Sequence, residues 1–226
     1  MTAQSKSNLR GALFALLAFG LFATHDVIVK VLGASYGTFQ ILFFSVLLSF
    51  PLVTLMLMRD RSEATLIPVH PWWTALRTAA AMVTGLGAFY AFSVLPLAQV
   101  YTILFAMPLL ITVLSIPVLG ERVGLHRWAA VAAGLVGVLV VLRPAEAQLG
   151  LGHAAALVAA FSGALASVIV RKIGKDERSA VLMLYPMMAN FVVMGAALPF
   201  VYQPMPVEHL GLVGACPCWP SWRGFA

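Results

Sequence analysis

Charge is what this sequence has least of. Only 10% of its 226 residues are Asp, Glu, Lys or Arg, with eight acids against fourteen bases. A soluble domain carries about 25% charged and roughly 45–50% apolar residues. Here the apolar share is 62%, too high for a water-covered surface, which excludes an ordinary cytosolic enzyme. A mean hydropathy of +0.96 excludes disorder by the same logic. Cysteine is nearly absent: Cys216 and Cys218 cannot build a disulfide framework, and they lack the second ligand pair of a metal site. Also missing are Gly-x-Ser-x-Gly, His-Glu-x-x-His and a phosphate-cradling Gly-rich loop ending in Lys-Ser/Thr. No enzyme, no cofactor, no metal site and no ATP-driven chemistry is expected.

What the chain does have is long runs without any charge. Residues 31–58, 78–120 and 179–207 contain no Asp, Glu, Lys, Arg or His. About 20 apolar residues at about 1.5 Å rise cross a hydrocarbon core. The runs predict an all-α, polytopic transmembrane bundle with spans at 11–32, 38–58, 72–94, 97–119, 125–142, 150–170 and 180–201. The first span, although Lys6 and Arg10 precede it as in a signal peptide, is expected to stay as a membrane helix, because no clean small-x-small site follows Ala23 and the helical pattern continues to Leu32. The net charge of +6 and the pI near 9.8 then describe topology instead of a nucleic-acid partner. Lys6, Arg10, Arg59, Arg61, Arg122, Arg127, Arg171, Lys172, Lys175 and Arg178 all fall on one side when the N-terminus is cytoplasmic, leaving Lys30 and Arg143 opposite.

The loop with Arg143, Pro144 and Glu146 divides the chain into 1–144, holding five spans, and 145–207, holding two. Residues 208–226 form a separate terminal segment. A shift of 142 places Ala160-Phe161 on Ala18-Phe19 and Lys172 on Lys30. Five spans per half make the second half enter from the opposite face, the inverted repeat of secondary transporters with substrate near the midplane.

The residues at this point resemble a known family. Thr24-His25-Asp26-Val27-Ile28-Val29-Lys30 is similar to the opening of EamA-type members of the drug/metabolite transporter superfamily. Arg77, Tyr90-Ala91-Phe92, Leu95-Pro96-Leu97-Ala98, Met107-Pro108-Leu109, Leu119-Gly120-Glu121-Arg122 and Gly134 to Arg143-Pro144 carry the resemblance further. It covers about residues 10–205. Asp26 and Lys30 followed by Gln40 and Phe43-Phe44 are similar to S-adenosylmethionine-uptake-like members. The resemblance implies an inner-membrane secondary carrier of small metabolites such as amino acids or S-adenosylmethionine, with ten spans in two halves of five. Proton-coupled export is the alternative transporter reading. Two departures stand out: Ser45 occupies a place where the family has arginine, and the chain stops inside an eighth span. The segment from Gly214 to Arg223 holds both cysteines and two of the five tryptophans, unlike a family helix. It reads as an aberrant, truncated terminus, and the chain as written is expected to transport poorly or to be a non-transporting membrane fragment.

Asp26 and Lys30 lie one turn apart and can pair. Inside a span an unpaired charge costs at least ~2.5–3.5 kcal/mol, so Asp26 is either a cavity ligand for a substrate amine or proton, or half of a structural pair. His25 points about 100° away and is either a proton-carrying group or a plain polar one. Gln40, Tyr90, Tyr101 and Asn190 are the further candidates for oriented hydrogen bonds and stacking; each would otherwise satisfy a neighbouring helix. Arg77 and Glu121 are expected to anchor helix ends. Pro96, Pro108, Pro117 and Pro186 bend helices and free carbonyls. Ala130 with Gly134 and Ala133 with Gly137 allow close helix contact, within one molecule by default and in a homodimer as the alternative. The partners expected are a small-molecule substrate and the lipid bilayer.

Overall fold

The computed structural model describes residues 16, 17, 20, 23–59, 66–121, 123–142 and 150–205. Lys6, Arg10, Arg61, Arg122, Arg143 and the 208–226 segment lie outside the described residues. Every regular element among the described residues is a helix, and none is a strand. Helix α1 covers 23–33, α2 Thr38–Arg59, α3 Pro71–Val94, α4 Leu97–Leu104, α5 Met107–Leu119, α6 Leu125–Leu142, α7 Leu151–Ile173 and α8 Ser179–Val201. Among the described residues, four runs are long and apolar enough to cross a membrane: Pro71–Val94, Leu97–Leu119, Leu151–Ile173 and Ser179–Val201. Shorter apolar stretches, Thr38–Pro51 and Leu125–Val138, lie inside α2 and α6.

Prolines set the breaks. Pro71 opens α3, where its missing N–H costs nothing, and Pro96 holds Leu95 extended at φ −105° and ψ 157°, which ends α3. Span four was expected as one helix over 97–119, and the structure splits it into α4 and α5. Pro108 has no N–H to offer the carbonyl of Leu104, and the chain tightens there into a turn with Ala106 N–H bonded to Ile103 O at 3.0 Å. Gly120, at φ +71°, then terminates α5 in the left-handed conformation that glycine adopts without steric cost.

Small residues bring α3 and α7 together. A Cβ on Gly87 would lie 2.7 Å from the Ala155 carbonyl oxygen, and one on Gly163 would lie 3.2 Å from Thr84 Cγ2. Ala156, Ala159, Ala160 and Ala164 are fully buried along the same helix. Close approach of this kind replaces the hydrophobic drive that lipid cannot supply. The largest cluster joins Val29 of α1, Ala91 and Phe92 of α3, Val100 and Ile103 of α4, and Ala156 and Ala160 of α7. The α2–α8 pair is aromatic instead: Phe43 stacks on Phe191 with ring centroids 5.2 Å apart, and Gly195 leaves room for Phe43. Gly134 receives Leu109 of α5, while Gly137 faces open space. Val136, Val140, Val192 and Phe200 are exposed, as lipid-facing residues should be.

Candidate functional site

Asp26 is the acid around which the polar groups of α1 gather. Its Oδ2 accepts a hydrogen bond from the Tyr101 hydroxyl of α4 at 2.6 Å, and its Oδ1 lies 3.0 Å from His25 Nδ1. An ionised carboxylate only accepts, so the tautomer that fits carries its proton on Nδ1. The Asp26 side chain is 14% exposed. Aromatic rings wall the site: His25 meets the edge of Phe89 at 5.6 Å, and Tyr101 packs against Phe92 and Phe105 at 5.9 and 6.2 Å. A carboxylate has about four lone-pair sites, of which these two bonds use half. A partly buried acid with accepting capacity left over and aromatic neighbours is chemically suited to an organic cation.

Lys30 does not pair with Asp26. Its ammonium donates instead to the carbonyl oxygens of Ser93 and Leu95, at 3.2 and 2.8 Å. Those carbonyls belong to the last turn and cap of α3, where helix acceptors lack partners and the dipole is negative. Gly33 permits the approach, since a Cβ there would lie 2.6 Å from Ser93 Cβ. Above Lys30, a cleft of ≈ 490 Å³ is lined by Gly33, Tyr36, Phe39, Leu86, Tyr90 and Ser93. Tyr90 is therefore a wall of the cleft.

The remaining candidates are used elsewhere. Gln40 is fully buried, and both ends of its amide are taken by one residue: Nε2 donates to Gln203 O at 2.7 Å, and Oε1 accepts from Gln203 N–H at 2.9 Å. It clamps the start of α2 to the segment after α8. Asn190 donates to Pro186 O at 2.8 Å, and its Oδ1 is buried without a partner, as is the hydroxyl of Ser45. Arg77 donates to the carbonyl of Leu182. That carbonyl is free because the residue four positions on is Pro186, so the proline and the arginine explain each other. Glu121 accepts from Arg171 at 2.7 Å.

Sequence reasoning missed Glu177 entirely. It is a buried carboxylate, 5% exposed, accepting from the His70 backbone N–H at 2.6 Å. Nothing local in the run Asp176-Glu177-Arg178 distinguishes it from a solvated loop charge. Phe89 and Gln203 were also missed; the aromatic spacing before Tyr90 was the one available hint.

Apolar, membrane-length helices enclosing a few oriented polar groups among the described residues define an integral helical membrane protein. Comparison with known proteins gives the same class. The model of the EamA-like transporter family matches residues 9–143, and the chain belongs to that family. It is 24% identical over 198 residues to the S-adenosylmethionine uptake transporter of Rickettsia prowazekii (strain Madrid E), which covers 88% of this chain and 66% of that protein. It is 25% identical over 178 residues to the S-adenosylmethionine uptake transporter of Rickettsia bellii (strain RML369-C), covering 79% and 61%. A riboflavin transporter of Vibrio cholerae serotype O1 is 30% identical over 90 residues, covering 40% of this chain and 30% of that protein. The chain thus spans a little under two thirds of the length of the curated relatives it matches most extensively.

Proposed function

We propose that this chain carries the substrate site of a secondary carrier for a small cationic or zwitterionic metabolite of the S-adenosylmethionine or amino-acid type, with Asp26 as the ligand for the positive group. The observation that carries the reading is the Asp26–Tyr101 bond at 2.6 Å inside an aromatic wall. Burial of an acid in a span is costly, and a bound cation repays that cost in the way an internal ion pair otherwise would. Lys30 is already engaged with α3, which leaves Asp26 available. The names of the Rickettsia relatives support the substrate class, because S-adenosylmethionine is both cationic and zwitterionic.

Residues 1–144 and 145–207 form one complete and one partial inverted repeat in this reading. The helix limits support it: shifted by 142, Thr38 and Arg59 of α2 fall on Ala180 and Val201, at the two ends of α8. The N-terminus and the Lys- and Arg-rich ends of α5, α7 and α8 face the cytoplasm of a bacterial inner membrane. Alternating access follows from rocking one part against the other.

The test is uptake of labelled S-adenosylmethionine and amino acids by cells or proteoliposomes containing wild type or Asp26→Asn. Saturable wild-type uptake, slow as a partial second repeat implies, that Asp26→Asn abolishes at unchanged membrane abundance is expected. Undiminished uptake by Asp26→Asn would remove that residue from the site. The His25–Asp26 contact favours one second reading, proton-coupled export with this pair as the proton site. A wild-type substrate gradient driven by an imposed pH gradient would distinguish it.

A further inference from the structure

At one end of the bundle, charged groups tie the α3–α5 part of the chain to α7 and α8. Arg171 donates to Glu121 at 2.7 Å. Its neighbour Lys172 donates to Val118 O at 2.8 Å and stands 4.3 Å from the ring centre of Trp73. Glu177 accepts from the His70 N–H at 2.6 Å. The signs match the helix ends they meet. Val118 lies in the last turn of α5, where carbonyls are unpaired and the dipole is negative, and it receives a cation. His70 is the N-cap of α3, where N–H groups are unpaired and the dipole is positive, and it receives a carboxylate.

The opposite end is built differently. There, among the described residues, α2 is tied to the α8 exit by the uncharged Gln40–Gln203 amide pair, Lys30 of α1 holds the last carbonyls of α3 without a carboxylate partner, and the ≈ 490 Å³ cleft opens beside α1 and α3. This cleft thus lies at the end away from the ion ties, while a second groove of ≈ 550 Å³, lined mainly by apolar side chains such as Ala79, Met82, Met188 and Val192, runs along α3 and α8 on the basic half.

We infer that the cluster of Trp73, Glu121, Arg171 and Lys172 is a gate, closed in this structure, whose release opens the interior toward the basic end of the bundle, with the buried Glu177–His70 contact as the fixed point beside it. Its chemistry suits release. Arg171 and Glu121 are 57% and 31% exposed at the side chain, so water can replace each partner as the helices part. Buried pairs in apolar surroundings would have no such replacement. Thr74 follows Trp73 on α3, donates its N–H to His70 O at 3.0 Å and is 1% exposed. The purpose assigned to the gate rests on the carrier reading above; the closure itself does not.

The experiment uses the full chain in nanodiscs with Cys216 and Cys218 changed to Ser and Thr74→Cys as reporter. The Thr74 hydroxyl has no hydrogen-bond partner, so this reporter breaks no bond. The rate of reaction with a charged thiol reagent is read for Glu121→Arg, Arg171→Glu and the exchange pair Glu121→Arg/Arg171→Glu. Each single change is expected to raise the rate at least about tenfold by placing like charges together, and the exchange pair to return it to within about threefold of the parent. Singles that react like the parent, or an exchange pair as reactive as the singles, would overturn the gate. Melting temperatures are read beside the rates: singles that react faster while keeping the parent's melting temperature support the gate, and a rate rise confined to singles that melt earlier would overturn it. No substrate enters the assay, so its failure and the failure of the carrier reading are separate outcomes.

Discussion

Tyr101 and Asp26 are separated by 75 positions in sequence and by 2.6 Å in space, phenol hydroxyl to carboxylate oxygen. The short distance is that of a charge-assisted bond, and it fixes the height at which α4 meets α1. Tyr101→Phe keeps the ring and its packing on Phe92 and Phe105 while removing the donor. A hydrogen bond to a charged group contributes about 1.5–3 kcal/mol, so the variant should lose thermal stability by about that much. Ligand affinity should change less, because the freed carboxylate oxygen gains accepting capacity. Unfolding of the purified variant in detergent, beside ligand titration, checks both.

Lys30 and Gln40 should behave as structural residues. Lys30→Met strands the Ser93 and Leu95 carbonyls, and Gln40→Leu strands the N–H and C=O of Gln203. Gln203 is exposed and Ser93 and Leu95 are partly buried, so each loss costs at most about 1–3 kcal/mol. Both variants should lower abundance and melting temperature while the folded fraction binds ligand within about threefold of wild type. Folded protein with binding abolished by Lys30→Met would instead make that ammonium part of the ligand site.

Gly87 marks the closest approach of α3 to α7, with Ala155 O where its Cβ would be. Gly87→Leu drives backbone and side chain together, and overpacking costs about 1–3 kcal/mol. Gly137, with nothing within 4 Å, should accept the same change with less than about 0.5 kcal/mol lost. Paired thermal melts of the two variants test whether α3–α7 is the tight seam.

Orientation is open to direct labelling. Single cysteines at Lys175 and Ala145, in a background without Cys216 and Cys218, report the two ends. An impermeant reagent applied to intact cells should label position 145 and spare position 175. The reverse pattern would turn the molecule over.

Much of the scaffold was legible because membrane helices advertise themselves by length and lack of charge. The Leu95-Pro96 break was visible as chemistry, and the Pro108 break within span four was half visible. The site was less so. The i to i+4 spacing of Asp26 and Lys30 correctly gives a shared helix face, yet it carries no information about the end of α3, which captures the lysine first. Gln40 looks like a ligand until Gln203 arrives from 163 positions away. Glu177 looks like a loop charge because the N-terminus of α3, which buries it, is remote in sequence. Pairing partners supplied by distant helix ends leave no trace in a local pattern.

The central claim is that Asp26 holds the positive group of the substrate, and equilibrium binding to the purified chain tests it most directly. Labelled S-adenosylmethionine and a panel of amino acids are titrated against wild type and Asp26→Asn at matched folded concentration. Loss of a charge-assisted contact of about 1.5–3 kcal/mol corresponds to about 10–100-fold in Kd. Saturable binding by wild type, weakened at least about tenfold by Asp26→Asn, is the predicted result; equal affinities in the two proteins would contradict it.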